Sequence, residues 1–149
     1  MEKKLNTFNN LKPLFSHFPI DVVYLYGSVA QGKADKLSDF DFGILFSQGL
    51  STKKRFNLRL ELFGKIGKHL GVNEENIDVI DLQEAPLLLQ FNVISGKIIY
   101  CKNEAGRVVF ETYVMGRYHD EHYYYDRDLL EVLEKIKRGD YFERRISYP

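Results

Sequence analysis

A lone cysteine, Cys101, has no partner for an internal disulfide, so packing must hold the chain together, and a reducing cytoplasm suits it. No apolar run approaches the ~20 residues that a membrane-spanning helix needs. The start, MEKKLNTFNN, lacks the apolar stretch of a secretory signal. Charge of one sign is missing as well. The 21 basic and 21 acidic residues cancel, which gives no support to a broad nucleic-acid-binding surface, and direct binding to nucleic acid is not expected. No Walker lysine motif follows the glycines, which argues against a P-loop ATPase. Nor does the chain carry a serine-histidine-aspartate grouping, an internal repeat or a linker. What is present is a 149-residue chain with 44% hydrophobic residues. That is enough for one domain with a core that needs no staples.

Periodicity and chain breakers lay out the elements. Residues 11–18 read as a short helix, with Asn10 as candidate cap, Pro13 in the first turn and Pro19 as the stop. Strands fit residues 22–26 and 41–46, joined by a polar loop that carries Gly32 and Ser38. Ser51 or Thr52 caps a helix that runs to Leu70, and Gly71 suits its end. On the wheel of that helix Phe56, Leu60, Phe63 and Leu70 form the apolar stripe, with Lys54, Lys65 and Lys68 solvated on the opposite face. Arg55 and Arg59 flank the stripe one turn apart, which makes them the pair to reach a phosphate or a partner. A third strand fits residues 77–82, then a helix over 85–95 with Pro86 in its first turn, then a short strand KIIYC, an edge candidate. Residues 104–138 are helical, with Phe110, Val114, Tyr118, Tyr125, Leu129, Val132 and Ile136 on the apolar face and Arg117 and Glu121 spaced to pair. The Tyr123, Tyr124, Tyr125 run is either covered by the domain or meets a partner, and the tail 139–149 either docks or frays. His119 and His122 are three apart on this helix but lack a third metal ligand, so ordinary surface histidines are the default reading. The expected organisation is a single domain over 1–149, with its core at about 1–103, a helical region at 104–138 and the tail.

The chemistry concentrates in LYGSVAQGKADKLSDFDFGILF, from Leu25 to Phe46. Gly27 and Ser28 form the turn after the first strand, and Asp39 and Asp41 open the second. Residues i and i+2 of a strand share a face, so the two carboxylates project together while Phe40 and Phe42 point into a core. Like charges side by side repel and raise a pKa unless something neutralises them. A divalent cation does so, and Mg²⁺ suits hard oxygen ligands and often also takes oxygens from a substrate phosphate.

At these residues the chain resembles the nucleotidyltransferase superfamily of the DNA polymerase beta type, whose signature is Gly-Ser, a ten-residue spacer and Asp-x-Asp. It is most similar to the minimal nucleotidyltransferases, MNT proteins, small members often encoded beside a HEPN-domain toxin. The likeness covers most of the chain and is carried by Gly27, Ser28, Asp39 and Asp41 in strand-turn-strand context. It implies an α/β (α+β) nucleotidyltransferase fold, a small mixed sheet flanked by helices with a C-terminal helical extension. It also implies a third carboxylate from a later strand, in NIDVIDL. Alternation puts Asp78 and Ile80 on one face and Ile77, Val79 and Asp81 on the other, so only one of the two aspartates can join the site. Asp78 is better centred, while Asp81 sits at the strand end, where capping or turn duty is the commoner fate. One departure stands out: many relatives have arginine in the loop after Gly-Ser, where this chain has Gln31, Gly32 and Lys33. Lys33 and Lys36 are then the sources of positive charge.

The resemblance further implies the reaction, an in-line attack by a hydroxyl on an α-phosphorus with pyrophosphate leaving. Two cations ~3.5–4 Å apart suit that chemistry by clamping the attacking and leaving oxygens. On this reading Asp39, Asp41 and Asp78 are the catalytic and Mg²⁺-binding residues, and Gly27 and Ser28 hold the phosphates of ATP. MNT proteins attach AMP from ATP to a tyrosine of a HEPN toxin, so the implied role is a cytoplasmic protein adenylyltransferase and antitoxin. Two other readings stay open: transfer to a small hydroxylated molecule such as an aminoglycoside, and a catalytically idle antitoxin that acts by binding.

Overall fold

Two short runs rich in β-branched and aromatic residues build the centre of the sheet. IDVVYLY forms β1 (Ile20–Tyr26) and FDFGILF forms β2 (Phe40–Phe46). In the structure, a computed structural model, residues 7–30, 32 and 39–139 are described, leaving aside the side chains of Ser28, Val29, Tyr124, Tyr125 and Asp126. β1 pairs antiparallel with β2 and also with β4 (Lys97–Cys101), while β3 (Ile77–Asp81) pairs parallel with β2. The resulting order is β3-β2-β1-β4, a mixed sheet as the resemblance implied, with β4 at one edge as the sequence suggested and β3 at the other.

A parallel neighbour requires a crossover. Here α3 (Thr52–Leu70) supplies it, after α1 (Lys12–Ser16) and the one-turn α2 (Gly27–Ala30). Ser51 caps α3 by accepting the Lys54 N–H at 3.2 Å, and Gly71 closes it. Pro13 occupies the first turn of α1 as anticipated, but Leu11 stands at the cap position and no side chain caps the helix, so Asn10 has no such role. The fourth helix, α4 (Leu87–Ile94), starts directly after Pro86, and α5 runs over Glu104–Arg138.

Strand alternation sorts the core into two layers. One face of the sheet packs Val23, Leu25, Phe42, Ile44, Phe46, Ile77 and Val79 against Phe15 of α1 and Leu62 and Ile66 of α3. The other face packs Val22, Tyr24 and Leu45 against Val93 of α4, with Phe110 of α5 alongside. Gly43 makes that second layer thin: a Cβ there would overlap Val93, so α4 lies directly on the strand. The start of α5 is anchored by a polar cluster. Tyr24, fully buried, donates its hydroxyl to Glu111 at 2.7 Å, and Arg107 bridges Glu111 and Glu104 at 2.9 and 2.8 Å.

The apolar stripe read on α3 needs correction. Phe63 and Leu70 pack against the core as read, but Phe56 and Leu60 are half-exposed, and the helix buries Leu62 and Ile66. The apolar band is wider than the stripe, and the sheet takes the side of it that lacks Phe56 and Leu60. Arg55 does not flank an open face either, since it is engaged by Asp81 and Glu84.

Residues 1–114 form one compact unit and 115–149 a second. The described part of the second is helical, with Arg117 and Glu121 paired at 3.5 Å as their spacing suggested, and Leu129, Leu130, Leu133 and Ile136 exposed. His122 stacks on Tyr118 with centroids 5.6 Å apart. The tail from 140 onward, the loop lysines Lys33 and Lys36, and the side chains of Tyr124 and Tyr125 lie outside the described residues.

Candidate active site

The register of three strands draws one line of side chains across the sheet. Tyr26 of β1 pairs with Asp41 of β2, and Asp41 pairs with Asp78 of β3. Cross-strand partners in register share a face, so the phenol and two carboxylates stand side by side on the face that α4 covers further along. Parity therefore decides between the two aspartates of β3. Asp78 joins Asp41, while Asp81, on the other face and only 8% exposed, is held by Arg55 Nε at 2.8 Å and accepts the Gln83 N–H at 3.0 Å.

Asp39 lies one residue ahead of β2 and is exposed. Its charge nevertheless reaches Asp41. Burial, then Asp78, then Asp39 push the Asp41 carboxyl above the ordinary carboxylate value. Burial and the two carboxylates of Asp78 and Asp41 likewise push the Tyr26 phenol up, so it stays protonated and keeps a proton to donate. No lysine or arginine among the described residues pairs with Asp39, Asp41 or Asp78.

The turn after β1 touches this line. Gly27 has φ +77°, and a Cβ on it would overlap the Asp41 carboxylate. Only glycine combines that backbone conformation with so close an approach. The Ser28 side chain is outside the described residues. Beside Gly27 lies a cavity of about 550 Å³, lined by Tyr26, Gly27, Leu89, Asn92, Ser95 and Lys97 among others. Asn92, Ser95 and Lys97 escaped the sequence reading, because a polar residue at a helix end carries no signal until the helix is laid on the sheet. The spacing of Gly96 from Gly27 offered no hint that the α4–β4 turn would sit against the first turn.

The donor set fits a divalent cation. Asp41 and Asp78 are neighbouring hard-oxygen anions without a protein counter-charge among the described residues, and such pairs are stabilised by a hard cation. Among the described residues, no three His, Cys, Asp or Glu side chains are gathered closely enough to enclose a metal ion. The structure thus brings Asp41 and Asp78 together and leaves Asp39 at the entrance. The same observation covers His119 and His122, both exposed.

The model of the family "Polymerase beta, Nucleotidyltransferase" matches residues 9–105, from the first helix through α4 and β4 to the start of α5. This chain belongs to the polymerase beta nucleotidyltransferase family. Within it, the protein adenylyltransferase MntA of Aphanizomenon flos-aquae (strain 2012/KM1/D3) is 25% identical over 114 residues, 67% of this chain and 73% of MntA. Among solved structures, a chain of a toxin-antitoxin crystal structure with AMP-PNP superposes with TM-score 0.65 at 22% identity, covering 85% of this chain and 98% of its own. A chain from the tri-AMPylated HEPN toxin of Shewanella oneidensis in complex with MNT antitoxin gives TM-score 0.61 at 19% identity, covering 89% and 99%. The nucleotidyltransferase fold implied by the Gly-Ser and Asp-x-Asp pattern is therefore the fold of this chain.

Proposed function

We propose that this nucleotidyltransferase is a Mg²⁺-dependent protein adenylyltransferase that moves AMP from ATP to a tyrosine of a HEPN-domain toxin and so acts as its antitoxin. The observation that carries the reading is the adjacent register of Asp41 and Asp78 next to the Gly27 turn and its cavity. The names of the curated relative and of the two complexes point the same way.

In the proposed reaction the tyrosine oxygen forms a bond to the α-phosphorus of ATP, the bond from that phosphorus to the β-phosphate bridging oxygen breaks, and pyrophosphate leaves. Asp39, Asp41 and Asp78 are the residues that would hold the cations, two of which would neutralise the phosphates and clamp the attacking and leaving oxygens. The Gly27 backbone admits the phosphates at close range, and Ser28 supplies a hydroxyl to them. Asp78, exposed at the β3 edge, takes the proton of the attacking hydroxyl. Tyr26 donates a hydrogen bond into the site, and the cavity with Asn92, Ser95 and Lys97 receives the nucleoside end of ATP.

The test is incubation of the chain with ATP labelled at the α-phosphate, Mg²⁺ and a HEPN-domain toxin. Label on a tyrosine of the partner that disappears in Asp39→Ala/Asp41→Ala is the expected result. Loss of the toxin's ribonuclease activity without label would replace the proposal with an antitoxin that acts by binding. Label on an aminoglycoside but not on the partner would replace it with small-molecule transfer.

A further inference from the structure

A second hollow lies further along β3 from Asp78. It measures about 370 Å³ and sits between α3 and α4, with Phe56, Arg59, Ile80 and Leu89 in its walls beside Asp81 and Glu84, the two carboxylates that Arg55 holds. In the strand order β3-β2-β1-β4, the Gly27 cavity abuts β1 and β4 through Tyr26 and Lys97, whereas this groove abuts β3 through Ile80. Asp78 lies on the strand that the groove abuts and Asp41 on the next, and Leu89 of α4 lines both hollows. Ile80 shares its strand face with Asp78, two residues away, so the floor of the groove leads to that carboxylate. An in-line displacement brings its attacking group to the phosphorus from the side away from the leaving group, and the groove is a hollow separate from the Gly27 cavity, with room for a second reactant.

The walls describe the occupant. Phe56, in the wall, is 50% exposed, and outside the groove Leu60, one turn on along α3, is 53% and Leu88, next to Leu89 on α4, is 62% exposed. Arg59 lies with its guanidinium 5.3 Å from the Phe56 ring centroid and reaches the Val79 carbonyl only at 3.5 Å. No carboxylate pairs with it among the described residues, whereas Arg55, one turn earlier, has two. A partly desolvated guanidinium on an aromatic ring favours a planar carboxylate from outside.

We propose that the α3–α4 groove docks the acceptor segment of the partner protein, an apolar stretch with an acidic side chain for Arg59 that delivers its tyrosine to Asp78. The assignment rests on the adenylyl-transfer reading for the identity of the occupant. Nucleotide and acceptor then occupy separate hollows, and neither has to leave for the other to bind.

The photo-crosslinking residue p-benzoylphenylalanine at position 56, with position 109 as an exposed control in another hollow, tests the surface in the full chain with the HEPN-domain partner. Crosslinks from position 56 to the partner segment that holds the modified tyrosine, and none from 109, are expected. Crosslinks from 109 alone, from neither position, or from 56 to a second copy of this chain would overturn the proposal. Arg59→Glu and Leu60→Asp, both on the helix exterior, should raise the KM for the partner about tenfold or more and leave the KM for ATP within twofold. An equal rise in both constants would overturn it as well. Crosslinking does not depend on catalysis, so the two proposals fail separately. A crosslinked but unlabelled partner removes the adenylyl-transfer reading and keeps the groove as a partner site. A labelled partner crosslinked elsewhere removes only the groove.

Discussion

β3 carries two aspartates three residues apart that meet opposite fates. Asp81 is buried, salt-bridged to Arg55 and hydrogen-bonded to the Gln83 backbone, and Arg55 is tied in turn to Glu84. Asp78 is exposed, stands beside a second carboxylate and has no protein cation among the described residues. The first arrangement is self-contained: every charge has its partner, so it joins α3 to the sheet and asks nothing of the solution. The second has no counter-charge from the chain among the described residues, and in the proposed reaction a cation would supply it. A carboxylate's role here follows from what faces it and not from its place in the strand.

Substitutions break the contrast in order of size. Asp41→Asn should lower transfer by about 10³-fold or more in the α-labelled ATP assay, yet raise the melting temperature at neutral pH, because it removes a charge that burial and two neighbours disfavour. The sign follows from the raised carboxyl: the folded state holds the proton more tightly than the unfolded chain. Wild-type stability therefore falls relative to Asp41→Asn as pH rises from the ordinary carboxylate value through the raised one, then levels off. Melts across that window check it, and a lower melting temperature for the variant at neutral pH would contradict it.

Gly27→Ala comes next. The new methyl must displace the Asp41 carboxylate and adopt a left-handed backbone, so transfer should drop roughly 10²-fold with about 1–2 kcal/mol of stability lost. Turnover and denaturant midpoint measure the two parts. Asp81→Ala should show the opposite pattern, a loss of about 2 kcal/mol with KM for ATP unchanged, since it takes one of Arg55's two carboxylate partners and leaves the Asp41–Asp78 pair intact. Smallest is Tyr24→Phe, which removes one buried hydrogen bond to Glu111 and should cost about 1 kcal/mol in urea unfolding without a change in turnover.

Much of this was legible because strands obey a two-residue period. The alternation of NIDVIDL separated Asp78 from Asp81 before any fold was known, and IDVVYLY and FDFGILF announced the central strands between clear breakers. Helix ends with chemical markers were read closely: Gly71 at the residue, and the Ser51 cap as one of two candidates with Thr52. The helix faces were less readable. Phe56 and Leu60 form as good a stripe on the α3 wheel as Leu62 and Ile66, and only the sheet chooses between them. Arg55 looked like a phosphate ligand because Asp81, its partner, is 26 residues away along the chain. Asn92, Ser95 and Lys97 stayed hidden for the same reason: a cavity wall made by a helix end and a strand start exists only after they meet.

The parallel pairing of β2 with β3 has one more effect. Asp41 and Asp78 face each other across one rung of the ladder, so the main chain sets the gauge between their stems at ~4.8 Å. Side-chain drift in the surrounding helices can reshape either hollow, and with it, under the proposed function, the choice of nucleotide or acceptor, while that gauge stays constant. Specificity and catalysis are thereby free to change independently.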